Sequence, residues 1–295
     1  MSLTEYSFLL LTGKLGDPNR MPLTTAQLRT LAQRIPLLQP SSDDTQLSIA
    51  HLASIGIGEP LAGRILRLLE DTPQLEAYLA KAKKAGCIPV TRTNEDYPLI
   101  LRKRLGLDAP GCLWLKGDPQ ILKMPAVSLV GSRELRNANR DFAREVGMQA
   151  AKQGYVLVSG NARGADIVAQ NACLEAGGQV ICVVADALCE HTERKNILFL
   201  SEEDYDEPFS ALRALRRNRV IHCLGEITFA AQCTLEKGGT WDGSVRNLKN
   251  LWSPLYCFDD GSQAMQELEC MGASLVETPE LSDFPKLTQH NSFFL

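Results

Sequence analysis

Ala126-Val-Ser-Leu-Val-Gly-Ser-Arg133 and Tyr155-Val-Leu-Val-Ser-Gly-Asn-Ala-Arg-Gly-Ala-Asp166 share one form: a short apolar run that breaks into glycine. Neither alternates apolar with polar residues, so each reads as a strand buried on both faces. The second continues past Gly164 into a helical pattern, Ala165–Ala176. Similar runs follow at Gln179–Val184, Glu226–Ala231 and Pro254–Phe258. Helical periodicity fills most of the gaps, at Asn139–Gln153, Leu212–Leu224, Ser244–Leu251 and Ser262–Met271. Strands alternating with helices imply right-handed βαβ units. The expected fold is α/β, a Rossmann-like doubly wound and mainly parallel sheet over about 87–280.

Residues 1–86 have a different character. Thr25–Ile35, Leu47–Ser54, Pro60–Glu70 and Leu75–Ala85 carry apolar residues at helical spacing, which predicts a smaller N-terminal helical domain. Within it, Gly56-Ile57-Gly58, Ala62 and Ile65 fit the helix-hairpin-helix pattern of the SAM-like class, with Arg64 and Arg67 nearby. A plain packed helical hairpin accounts for the same spacing. The end, 281–295, reads as a tail.

Composition narrows the function. The 295 residues hold 31 Lys+Arg against 35 Asp+Glu, which excludes a uniformly basic nucleic-acid coat but not a local basic patch. No apolar run reaches the roughly 18 residues of a membrane span, and Glu5 stands where a signal peptide carries Lys or Arg. The nine cysteines form no C-x-x-C pair, and several sit in apolar runs. They read as reduced thiols of a cytoplasmic protein, with no metal site.

In an open α/β sheet, ligands bind beyond the carboxyl ends of the strands. Three segments there are candidates for phosphate. Gly131, Ser132 and Arg133 offer a close backbone approach and a bidentate cation. Ser159, Gly160, Arg163, Gly164 and Asp166 form a glycine-rich turn opening a helix, a place where amides and the helix dipole favour anions. Lys237, Gly239, Thr240, Trp241, Gly243 and Ser244 form a second such turn, with an indole for base stacking. Tight turns needing glycine explain each segment alone. Glu202, Glu203, Asp204, Asp206 and Glu207 then precede Arg213, Arg216, Arg217, Asn218 and Arg219. Those arginines run into Val220-Ile221, so they are expected at the edge of the core, where a charge needs a partner such as a phosphodiester. Neither G-x-G-x-x-G at a strand end nor G-x-x-x-x-G-K-[ST] occurs, which argues against orthodox NAD and P-loop chemistry.

In order, Asp96-Tyr-Pro-Leu-Ile-Leu101, Leu113-Trp-Leu-Lys-Gly-Asp118, Val127–Arg133, Val158–Asp166, Leu174–Gly178, Leu200-Ser-Glu202 and Arg217-Asn-Arg-Val-Ile221 resemble the DNA-processing protein A family (DprA, also called Smf). The likeness covers about 45–277. It implies a non-catalytic single-stranded DNA binding protein without cofactor, acting in DNA uptake in natural transformation and loading a RecA-type recombinase, usually as a homodimer. It places Gly131, Ser132, Arg133, Ser159, Gly160, Arg163, Arg217, Asn218 and Arg219 in the phosphate pocket. The chain departs from the pattern at Asn161, at Ala169-Gln170 where the family has Ala-His, and at 237–244, and so resembles a divergent member. A second reading uses the same pocket for a nucleotide sensor or a nucleotide N-glycoside hydrolase. That reading needs Trp241 over a base and Asp166, Glu236 or Asp242 near a ribose. A third reading is a protein–protein adaptor.

Overall fold

The computed structural model describes residues 1–39 and 46–291. Five helices come first: α1 (Leu3–Thr12), α2 (Thr25–Arg34), α3 (Ile49–Ser54), α4 (Glu59–Glu70) and α5 (Thr72–Lys84). Ser2, Thr24 and Ser48 hydroxyls cap α1, α2 and α3 by accepting from backbone amides in the first turn. Leu28, Leu52, Ile57 and Ile65 close a small core among these helices. The predicted glycine turn joins α3 to α4, with Gly56 at φ +79°. Arg34 donates to the Gly56 carbonyl. The helices are also tied to the rest of the chain. Leu9, Leu75 and Tyr78 join the large core, and Tyr78 packs edge-on to Trp114 at 5.8 Å.

The sheet follows, as β1 (Cys87–Thr91), α6 (Leu99–Leu105), β2 (Cys112–Lys116), β3 (Ala126–Val130), α7 (Asn137–Lys152), β4 (Val156–Ser159), α8 (Ala165–Glu175), β5 (Val180–Val183) and β6 (Ile197–Ser201). The second half runs α9 (Ala211–Arg216), α10 (Asn218–Leu224), β7 (Thr228–Ala230), α11 (Gly238–Asn250), β8 (Leu255–Phe258), α12 (Gln263–Cys270), β9 (Ser274–Val276) and α13 (Phe284–Asn291). The strand order is β1-β2-β6-β5-β4-β3-β7-β8-β9. The β1–β2 and β2–β6 pairs are antiparallel, and the remaining pairs are parallel. From β3 the chain winds outward through β4, β5 and β6, then returns to build β7, β8 and β9 on the other side. The direction therefore reverses between β3 and β7.

Continuous burial of β3 and β4 explains their unbroken apolar runs. One face of the sheet is covered by α7 and α8, where Gly147 lets α7 lie against the Ala169 backbone. Phe142 and Val146 of α7 are fully buried there. The other face carries Val220, Ile221, Met265 and Leu268.

The structure corrects the sequence reading at four places. β1, β2, β6 and β9 are additional strands, and β1 hid its nature behind Pro89 in a short run that is only partly buried. The single helix expected over Leu212–Leu224 is two, broken at Arg217. α11 starts at Gly238 instead of Ser244, taking the expected glycine turn into its first turns. The expected tail is held down: Leu281 and Phe284 are buried, with Phe284 5.7 Å from Tyr155 and 5.1 Å from Phe229. Residues 292–295 of that tail lie outside the described residues.

Candidate nucleic-acid interface

The turns after β3 and β4 are locked to each other. A Cβ at Gly131 has no room between Ala165 and Ala231. Gly164, at φ +88°, packs on the carbonyls of Ser132 and Arg133. The Ala165 amide donates to the Ser132 carbonyl at 3.1 Å. These glycines thus let one turn sit on the other, and the pair holds Arg133 and Arg163 on one rim. Asp166 lies in the first turn of α8 and is buried. Its carboxylate accepts from the Gly160 and Ala162 amides, both at 3.1 Å. Burial pushes its pKa up, against the pull of Arg217 and of these amides. Asp166 therefore shapes the 160–163 loop from below and does not face a ligand. Ser159 is also withdrawn: it is buried, and its hydroxyl accepts from Gln170 Nε2 at 2.5 Å.

Above these turns is a cleft of about 540 Å3. Arg133 follows β3, Gly160–Arg163 follow β4, Val184–Asp186 follow β5, and Phe209, Ala214 and Arg217 complete the lining. Arg217 forms the floor, 8% exposed, and its Nη1 donates to the carbonyls of Gly160 and Val183. Burial lowers its pKa, but a guanidinium starts so high that it stays charged. Arg133 and Arg163 are exposed, and no carboxylate among the described residues pairs with either. The carboxylates lining the cleft are Glu134 and Asp186. Asp186 is engaged, 2.9 Å from His191 Nε2, and that hydrogen bond holds its carboxyl below the usual range. Three cations against an open backbone loop suit a phosphodiester, and each charge-assisted contact is worth about 1.5–3 kcal/mol.

The other predicted residues lie elsewhere. The acidic run supplies the partners expected of a phosphate. Glu203 is 3.2 Å from Arg213 and 3.9 Å from Arg216, and Glu202 is 2.5 Å from Arg219. Although burial works against its charge, the Glu202 carboxylate keeps the Arg219 pKa raised. Asn218 donates to the Gly239 carbonyl at 2.9 Å. Arg216, Asn218 and Arg219 line a larger cleft of about 990 Å3, reaching from the α9–α11 side to the loop before α2.

Lys237, Gly239 and Thr240 sit at the start of α11, outside the arginine cleft. Trp241 is a half-buried helix residue packed on the core. Gly243 and Ser244 are buried, and Gly243 leaves room for Asn218 and His222. With Trp241, Glu236 and Asp242 outside the cleft and Asp166 beneath it, the nucleotide-hydrolase reading loses the groups that motivated it. The sequence reading also passed over residues that do line the cleft. Asn161, with φ 56°, Asp186 and Phe209, 59% exposed, are among them. The signal for Phe209 was a lone aromatic between the acidic run and the arginines.

Fold and cleft together define a Rossmann-like protein with an arginine-lined crevice at its strand ends. A sequence profile of the DNA recombination-mediator protein A family matches residues 89–281, and the chain belongs to that family. The DNA processing protein DprA of Bacillus subtilis is 28% identical over 180 residues, which is 57% of this chain and 59% of the relative. The DprA of Streptococcus pneumoniae is 31% identical over 182 residues, 57% of this chain and 64% of the relative. The chain thus spans about six-tenths of the length of these two curated relatives. Its fold superposes on the S. pneumoniae DprA structure with a TM-score of 0.70 at 24% identity, covering 94% of this chain and 95% of the other. On DNA processing protein A from Helicobacter pylori, described for its single-stranded DNA binding mode, the TM-score is 0.56 at 22% identity, covering 70% and 96%.

Proposed function

We propose that this chain binds single-stranded DNA without catalysing a reaction on it, holding the backbone in the arginine cleft. The observation that carries the reading is the convergence of Arg133, Arg163 and Arg217 on one crevice, with the first two free of carboxylate partners among the described residues. Exposed Phe209 at the same rim offers a stacking face to a base of any sequence. Membership of the recombination-mediator family supports the wider reading: DNA processing, hand-over of the strand to a RecA-type recombinase, and action as a homodimer. Among the described residues no helix is long and apolar enough to cross a membrane.

The test is anisotropy with labelled oligo-dT at rising salt, with mononucleotides as competitors. Strand binding predicts steep loss of affinity with salt, because phosphate contacts release counterions, and weak competition by mononucleotides. Displacement by micromolar mononucleotide would mark a small-molecule site instead.

A further inference from the structure

Asp186 is a carboxylate fixed inside the arginine cleft. Its side chain is 49% exposed and shares the lining with Arg133, Arg163 and Arg217. Among the described residues it forms an ion pair with none of these arginines; its partner is His191, whose Nε2 lies 2.9 Å from Oδ1. The His191 hydrogen bond chiefly, with the Arg217 charge in support, holds the Asp186 carboxyl below its usual range despite partial burial. His191 is itself anchored. Its ring stacks on Phe199 of β6, with centroids 4.6 Å and planes 24° apart, and its amide donates to the Leu188 carbonyl at 3.2 Å. The Leu188–Glu190 turn before it is tied to the acidic run, because the Cys189 amide donates to the Tyr205 carbonyl at 3.0 Å. Glu134, the other carboxylate of the lining, is exposed, so water and salt screen it.

We infer that Asp186 sets which anion the arginine cleft accepts, disfavouring a doubly charged phosphate monoester relative to the singly charged diester of a strand interior, and that His191 is the positioning residue that keeps its carboxylate off the arginines. The inference rests on the strand-binding reading above. Repulsion scales with the charge of the ligand, so a fixed carboxylate opposes a dianion twice as strongly as a monoanion. Three arginines alone would draw the dianion most strongly, and strand ends and free nucleotides would then compete with the strand. A carboxylate that closed on Arg133 or Arg163 would instead take that cation from the strand. Held by His191, Asp186 leaves both cations available and still adds its own field. The cleft thereby favours the interior of a strand over its ends.

The experiment is competition against labelled oligo-dT at pH 8 by two small probes. Thymidine 5′-monophosphate is doubly charged there, its second pKa being about 6, and the methyl ester of the same phosphate carries one charge. Asp186→Asn keeps the shape of the side chain and removes its charge. It should strengthen competition by the methyl ester about threefold and by the monoester about tenfold, the square of the first gain. His191→Leu frees the carboxylate to turn to an arginine and should weaken direct binding of oligo-dT about tenfold. Asp186→Asn in the same chain should restore that binding, and His191→Gln, which keeps a nitrogen donor, should bind as wild type does. Equal gains for the two probes on Asp186→Asn, or no gain for either, would overturn the selectivity. A double variant as weak as His191→Leu would overturn the role of His191, since a histidine that only supports the turn gives that result. Wild type that fails to bind oligo-dT would overturn the strand-binding reading itself.

Discussion

Two arginine-rich clefts flank the Arg217-Asn218-Arg219 segment, and they differ in what happens to each cation. In the larger, every arginine is engaged within the chain. Arg219 has Glu202, Arg246 has Asp242 at 3.0 Å, and Arg104 donates to backbone carbonyls at the end of α10, including Cys223 at 3.2 Å. In the smaller, Arg133 and Arg163 have no carboxylate partner among the described residues, and Arg217 donates to two carbonyls while Asp186 and the buried Asp166 draw on its charge. Cation count is thus a poor guide to an anion site. Charge left over after internal pairing is the useful quantity, because a paired guanidinium must give up one partner to take another.

The largest effects should come from the two neighbours that face opposite clefts. Arg217→Ala strips two buried carbonyls and Asp166 of their cation. It should cost about 3 kcal/mol of stability and most of the oligonucleotide binding. Arg219→Ala leaves the 7%-exposed Glu202 side chain unpaired and should cost about 2 kcal/mol, with binding retained by the folded fraction. Chemical denaturation read beside anisotropy checks both. Equal loss of binding in the two variants would erase the distinction between the clefts.

A smaller effect probes the helix behind that segment. His222 on α10 is fully buried, neither ring nitrogen has a partner among the described residues, and burial lowers its pKa to about 3. A folded pKa below the unfolded value of about 6.5 means that the unfolded chain binds more protons as the pH falls. The contribution of His222 is therefore complete above pH ~6.5 and shrinks by about 2 kcal/mol at pH 5. Asp204, raised to about 6 by burial, works in the opposite sense, losing its contribution as the pH rises towards 6. Comparison with His222→Met isolates the histidine: between pH 7 and pH 5, wild type should lose about 2 kcal/mol more than the variant. Parallel pH profiles would show that His222 is not buried as a neutral group.

Smaller still, Phe209→Ala should weaken oligo-dT by roughly 1–2 kcal/mol without altering the salt slope, since stacking releases no counterions. Trp241→Ala in the same assay should leave binding of the folded protein unchanged. The reverse pattern would return the start of α11 to the site.

The sheet was legible because β3, β4, β5, β7 and β8 are buried almost throughout, which leaves their sequences mostly apolar, and β3 and β4 break directly into glycine. β1 gave no such signal, with Ile88 40% exposed and a proline inside. At the site, Arg133, Gly160 and Arg163 were readable from their place after strands. Arg219 was not, because two helical residues of offset from Arg217 turn a side chain by about 200°, away from the smaller cleft and into the larger. Its partner, Glu202, lies 17 residues earlier in the acidic run after β6, where the spacing alone does not say which carboxylate meets which arginine. Trp241 misled for a related reason: glycines that read as a loop are the first turn of α11.

The central claim is that unpaired charge, in one cleft only, meets the phosphates. Its most direct test is the slope of log affinity against log salt for oligo-dT, measured on wild type, on Arg133→Ala/Arg163→Ala and on Arg216→Ala/Arg246→Ala from the larger cleft. The first pair should flatten the slope by about 1.4, at about 0.7 for each single-strand phosphate that is no longer neutralised, and weaken binding about 100-fold or more with an unchanged melting temperature. The second pair should leave the slope where it was. A slope flattened by the second pair and untouched by the first would contradict the account.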